Sequence, residues 1–101
     1  MHQNNLIWKH SRLFSEKLFV GMAEKLTATQ LYFLQAIIEG ETVFGQANIE
    51  KYSLGTSANV IRIKDALVSK DVINITSKNI EIQDPIFKLW LKEDYFKSLN
   101  H

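Results

Sequence analysis

A mainly α fold with one small β-hairpin (α+β) is what this 101-residue chain predicts. Three observations carry the expectation. Between Ile49 and Leu67, two helically patterned stretches flank Ser53-Leu54-Gly55-Thr56, which reads as helix, tight turn and helix. After Lys70 the apolar period changes from helical to alternating, first in Val72, Ile73 and Ile75, then in Ile80-Glu81-Ile82-Gln83. Capping signals open two further helices, at Thr27-Ala28-Thr29-Gln30 and at Asp84-Pro85.

The elements follow in order. A first helical segment, residues 1–26, carries Leu6, Leu13, Phe14, Leu18, Val20, Gly21 and Met22 at broadly helical intervals from about Asn5 to Leu26. It reads as one long helix or as a helix with a loose start. Trp8 lies upstream of that stripe and is placed to anchor the segment on the body or on a second copy. The next helix starts at the Thr27/Gln30 capping box and runs along Leu31, Leu34, Ile37 and Ile38, with Phe33 beside them. Gly40 stops it. Glu41 to Gly45 is a connector, with Phe44 as the expected anchor into the core.

Residues 46–70 form the two-helix unit. Gln46 to Tyr52 packs Ile49 and Tyr52, and Gly55 marks the point where this helix stops and the chain turns. Thr56 or Ser57 caps the second helix, whose buried face is Val60, Ile63 and Leu67. Two helices joined by a short glycine-containing turn are a helix-turn-helix. A hairpin over residues 72–83 turns at Thr76-Ser77-Lys78-Asn79. A last helix, residues 85–99, opens on Asp84-Pro85 and presents Phe87, Leu89, Trp90, Leu91, Tyr95 and Phe96. Helix, helix, helix-turn-helix, hairpin, helix is the winged helix-turn-helix plan, one domain over residues 1–101 with the hairpin as wing.

Composition narrows the function. Hydrophobic residues make up 46%, enough for a core. The absence of cysteine removes disulfides and thiolate zinc sites. His2, His10 and His101 lie near the chain ends without metal-ligand spacing, so no metal or other cofactor is expected. Twelve Lys and Arg stand against 11 Asp and Glu, a net charge of +1, whereas a dedicated DNA-binding domain usually shows a clear basic excess. No apolar run approaches the roughly 18–20 residues that span a bilayer. Met1-His2-Gln3-Asn4-Asn5 lacks the basic-then-apolar order of a signal peptide. A soluble cytoplasmic protein is expected.

The stretch Tyr52-Ser53-Leu54-Gly55-Thr56-Ser57-Ala58-Asn59-Val60-Ile61-Arg62-Ile63-Lys64-Asp65-Ala66-Leu67 also resembles a known pattern. With Leu26-Thr27-Ala28-Thr29-Gln30, Lys70-Asp71-Val72-Ile73 and Asp84-Pro85-Ile86-Phe87-Lys88-Leu89-Trp90-Leu91, it resembles the C-terminal winged-helix domain of archaeal-type AAA+ ATPases that also occur in bacteria, notably Bacteroidetes. The resemblance runs from about Leu26 to Leu91 and is most specific in Leu54-Gly55-Thr56-Ser57-Ala58-Asn59-Val60. It implies the tail of an ATPase, without the ATPase domain. A Walker A loop, G-x-x-x-x-G-K-[ST], is missing, so no phosphate cradle carries over and ATP hydrolysis is not expected. The chain is then a fragment of a larger ATPase or a stand-alone relative of its tail.

No Ser-His-Asp or Cys-His arrangement and no acid/base carboxylate pair can be placed, so no catalytic residue is expected. The candidate partner is duplex DNA, met by helix 57–70. Stepping about 100° per residue from the buried face, its opposite face holds Ala58, Ile61, Arg62, Asp65 and Ser69. Arg62 suits bidentate contact to guanine, and Asn59, to one side, suits adenine. Ser57, with Thr56 and the helix N-terminus, suits a phosphate. Lys64, Lys70 and Lys78 of the wing are candidates for backbone contacts. Against this stand Asp65, which repels phosphate, and the apolar Ile61. The alternative is a protein-interaction or dimerisation module without nucleic-acid binding, its partner an ATPase domain or a second copy, met through Trp8, Leu13, Phe14 and Val20 or through Ile61.

Overall fold

The computed structural model describes residues 16–77 and 79–99. The expectations for Leu6, Trp8, Leu13, Phe14, Lys78 and the three histidines lie outside them. The described chain forms α1 (16–24), α2 (Ala28–Ile38), α3 (Gln46–Lys51), α4 (Ser57–Ser69), β1 (Ile73–Ile75), β2 (Ile80–Ile82) and α5 (Pro85–Trp90). One π turn (Leu91–Tyr95) and α6 (Phe96–Leu99) complete it. This is the mainly helical fold with an antiparallel hairpin that the sequence predicts.

Helix starts follow the capping signals. Thr27 Oγ1 accepts the Gln30 N–H at 3.2 Å while Gln30 Oε1 accepts the Thr27 N–H at 3.0 Å, a complete capping box. Thr56, rather than Ser57, is the N-cap of α4, accepting from the Asn59 N–H at 3.1 Å. Asp84 Oδ1 accepts from Ile86 and Phe87, with Pro85 in the first turn. Each such cap contributes about 1 kcal/mol.

Helix ends share one device. At the close of α2, α3 and α4 a residue with positive φ follows the cap, and two N–H groups turn back onto the last carbonyls. The left-handed residue is Gly40 (φ 78°) after α2. The next two helices place Ser53 (φ 56°) and Asp71 (φ 58°) there. Leu54 N–H then donates to Ile49 O, and Val72 N–H to Leu67 O, both at 2.9 Å. This corrects the expected stop: α3 ends at Lys51 with Tyr52 as its cap, and the left-handed residue that stops it is Ser53, not Gly55. Gly55 is a second left-handed position (φ 89°) that aims the chain into α4. Leu54, between them, is fully buried, and that burial selects the turn.

The core is continuous. Phe33, Leu34, Ile49, Leu54, Val60, Leu67, Phe87 and Leu91 are the deepest members, each worth roughly 1.5–3 kcal/mol by burial. Phe19 of α1 meets Phe87 and Trp90 of α5, with ring centroids 5.4 and 5.8 Å apart. This reverses the expected phase of the first helix. Phe19 and Ala23 are buried and Met22 and Leu26 pack beside them, whereas Leu18 is 61% exposed and Val20 also faces out. A 19/22/23/26 stripe follows one helical face; 18 and 20 lie on others. The connector anchors through Val43, and Phe44 is 46% exposed. Leu89 also faces solvent, and the expected last helix is widened by the π turn, where Phe96 N–H reaches Leu91 O.

β1 and β2 pair antiparallel, with Ile73 opposite Ile82, Asn74 opposite Glu81 and Ile75 opposite Ile80. Ile73 and Ile82 close the core from one side. Thr76 closes the tip through its N–H and hydroxyl on Asn79 O, at 2.9 and 3.2 Å.

Holding a non-glycine residue left-handed costs about 1–2 kcal/mol, less for Asp. Ser53→Gly is therefore expected to raise the thermal midpoint by several degrees, and Asp71→Gly by less, for about 0.5–1 kcal/mol recovered in a domain of this size. Gly55→Ala has the opposite sign, since its Cβ would stand 3.2 Å from Asn59 Nδ2 at positive φ. A circular-dichroism melt of the three variants checks all three signs.

Candidate functional site

α4 is held from both ends, and this decides which of its side chains are free. At its start Asn59 Nδ2 donates to Leu54 O at 2.9 Å, so its amide braces the turn and is half-buried. At its end Lys70 Nζ reaches Gln30 Oε1 at 3.3 Å and Lys25 O at 3.4 Å, tying α4 to the start of α2. Ser57, Ala58, Ile61, Arg62, Asp65 and Ser69 face solvent, as the helical phase requires. Val68 joins them.

The candidate contact residues therefore separate. Ser57 and Arg62 are both exposed in the N-terminal half of α4, Arg62 on the outer face and Ser57, five residues before it, turned about 140° away. Asn59 is turned inward to the loop. Lys64 is turned towards the wing, its side chain 26% exposed and its Nζ 3.8 Å from Asp65 Oδ1. Such a long, adjacent-residue pair contributes little. Lys78 lies outside the described residues.

A feature that sequence reasoning missed lies beside the wing. A cleft of about 590 Å³ runs between the connector, Gly40 to Phe44, and the hairpin, with Ile37, Ile75, Ile80 and the lysines Lys64 and Lys88 on its walls. Its sequence signal was the Val43-Phe44 pair: one apolar residue enters the core and its neighbour is left facing out.

The electrostatics near the connector centre on Tyr52. Its hydroxyl is buried near the carboxylates of Glu39 and Glu41 without the alignment of a full hydrogen bond. Burial first, then Glu39 and Glu41, push its pKa up to about 12. Lys51 Nζ sits 5.2 Å from the centre of the Tyr52 ring and 3.8 Å from Glu41 Oε1, so Glu41 is partly compensated. Among the described residues no group of His, Cys, Asp or Glu could hold a metal ion. No described helix is long and apolar enough to cross a membrane.

A helix-turn-helix whose second helix is exposed along one face, followed by a two-stranded wing and closing helices, defines a winged-helix protein. The chain matches the model of the family described as "Probable winged helix domain" over residues 17–93, and it belongs to that family. No curated protein and no solved structure matches it. Domains of this class are generally non-catalytic modules.

Two outcomes follow from this geometry. Asn59→Ala strands the buried-side carbonyl of Leu54 and is expected to cost about 1–2 kcal/mol, read as a lower denaturation midpoint at unchanged m-value. Tyr52 keeps its proton in the folded state up to about pH 12, while the unfolded phenol releases it near the ordinary tyrosine value of 10.0. Its contribution is thus fully present below pH 10 and is lost as pH rises through 12. Melts between pH 9 and 12 are expected to fall more steeply for the native chain than for Tyr52→Phe.

Proposed function

We propose that this domain is the C-terminal winged-helix module of an AAA+ ATPase-like cytoplasmic protein, and that it binds duplex DNA weakly through α4 and the wing. The parentage rests on the motif from Tyr52 to Leu67 and its companions. The DNA reading rests on one observation: Arg62 stands exposed on the outer face in the N-terminal half of α4 with no ion pair among the described residues, while Ser57 is exposed at the helix start on its flank. The guanidinium suits a guanine edge or a phosphate, and the helix N-terminus favours an anion beside Ser57. A net charge of +1 sets the affinity low and makes it strongly salt-dependent. Asn59 contributes through the turn, Lys64 from the flank, and Lys78 from the wing tip.

A second reading draws on the same helix. Ile61 and Val68, 47% and 40% exposed, lie seven residues apart on one side of α4 with Asp65 between them. An apolar pair around an acid favours a protein partner, an ATPase domain or a second copy, over phosphate.

A mobility shift with duplex DNA at low salt separates the readings. Micromolar binding that weakens steeply with salt, and that drops several-fold in Arg62→Ala with an unchanged melting midpoint, is the expected result. No shift at low salt and micromolar protein sinks the DNA reading, and a solution mass of twice the chain would then favour self-association.

A further inference from the structure

The wing ends in an unpaired strand edge. In an antiparallel ladder, pairs that exchange hydrogen bonds alternate with pairs that do not. Thr76 N–H to Asn79 O and Gln83 N–H to Val72 O, with the register of the hairpin, make Asn74–Glu81 a bonded pair and Ile75–Ile80 and Ile73–Ile82 non-bonded ones. The N–H and C=O groups of Ile80 and Ile82 therefore point away from β1. Among the described residues no backbone hydrogen bond joins them to the connector or to any other segment. The connector, Glu41 to Phe44, lies across the cleft of about 590 Å³ that Ile80 and Glu81 also line.

We propose that this cleft is a docking site for an extended segment of a partner protein, which adds as a strand to β2. The unpaired main-chain groups select the occupant: they ask for alternating donors and acceptors at strand spacing, which an extended peptide supplies and a helix or a duplex does not. β2 spans three residues, so pairing runs over about 10 Å. The walls set the side chains. Phe44 and Ile75, both largely exposed, receive one β-branched or aromatic residue. Of the charged groups on its walls, Glu41 and Lys64 each have a partner at 3.8 Å, which leaves Glu81 and Lys88 in balance; Lys88, without an ion pair among the described residues, is the cation open to an acidic group. The segment is therefore an apolar, β-prone stretch with an Asp or Glu at the end that meets Lys88. This surface shares Lys64 and the wing with the DNA reading but not Ser57 or Arg62, so Arg62→Ala tests the DNA reading without touching the cleft.

The probe is a capped hexapeptide, Asp-Val-Thr-Val-Thr-Asp, titrated to millimolar concentration into the isotope-labelled full chain. Expected are amide shifts confined to the connector and residues 79–82, and at least tenfold slower hydrogen exchange at Ile80 and Ile82. The same peptide N-methylated at both Val residues, which removes two donors, is expected to lose at least tenfold in affinity. Lys88→Glu is expected to lose about three- to tenfold, and being an exposed change it leaves the fold intact for the comparison. Ile80→Pro removes an outward N–H without touching the β1–β2 ladder and is expected to weaken binding likewise. No shift at millimolar peptide overturns the proposal. So does equal binding of the N-methylated peptide, which would mark a merely apolar contact. A doubled mass of the free chain that Lys88→Glu abolishes also overturns it, by assigning the edge to a second copy.

Discussion

The turn between α3 and α4 sets the geometry on which the rest of the domain depends. Leu54 lies in it with no exposed surface. Its N–H is spent on Ile49 O at 2.9 Å and its carbonyl on Asn59 Nδ2 at 2.9 Å, so a side chain at the bottom of the core carries a fully satisfied backbone. Burying Leu54 demands that the chain reverse twice in three residues. The two left-handed residues, Ser53 and Gly55, perform the reversals on either side. The course of the chain from α3 into α4 is thus held by the buried Leu54 side chain together with these two hydrogen bonds, and the outward face of α4 follows from it.

That dependence reaches the candidate site. A residue that braces the turn is not free to read a base, and Asn59 is such a residue. A residue that ties α4 to α2 is not free to meet a phosphate, and Lys70 is such a residue. What remains outward is Ser57, Ala58, Ile61, Arg62, Asp65, Val68 and Ser69, a row in which one cation, one anion and two large apolar groups compete. Each phosphate neutralised strengthens binding only through counterion release, and one carboxylate in the row opposes it. The row therefore suits a weak contact more than a tight one.

Much of this was legible in the sequence, because local rules and tertiary packing agree over most of the chain. The caps at Thr27, Thr56 and Asp84, the buried face of α4 and the alternating wing all follow from residue type and spacing. The departures have specific causes. Glycine is the expected left-handed residue, so Gly55 drew the helix stop, whereas burial of Leu54 placed it at Ser53 and accepted the strain. Val43 and Phe44 are adjacent, and size favoured the phenylalanine as anchor, but only the smaller residue points inward. In α1 the apolar residues 18, 19, 20 and 22 fit more than one face. Contact of Phe19 with Phe87 and Trp90, invisible in a local window, chose between them. The cleft left only the Val43-Phe44 pair as a local trace, because it lies between the connector and the hairpin, segments about 35 residues apart in the chain.

The C-terminal segment shows the same contest between local preference and the core. In a regular α-helix, residues five apart are turned from each other by about 140°. Leu91 and Phe96 are five apart and both buried, and Trp90 and Tyr95, also five apart, hold their rings at 5.5 Å. The π turn over Leu91–Tyr95 reconciles them: the Phe96 N–H reaches back five residues to Leu91 O, and both pairs come to one side. A widened turn is disfavoured on its own, but two buried side chains at roughly 1.5–3 kcal/mol each outweigh it. The same widening sets Trp90 between Phe87 and Tyr95, where its Nε1 finds no partner among the described residues. The fold thus accepts an unsatisfied indole N–H to keep a stacked aromatic wall against α1. Apolar burial wins over polar satisfaction here, just as burial of Leu54 wins over backbone ease at Ser53.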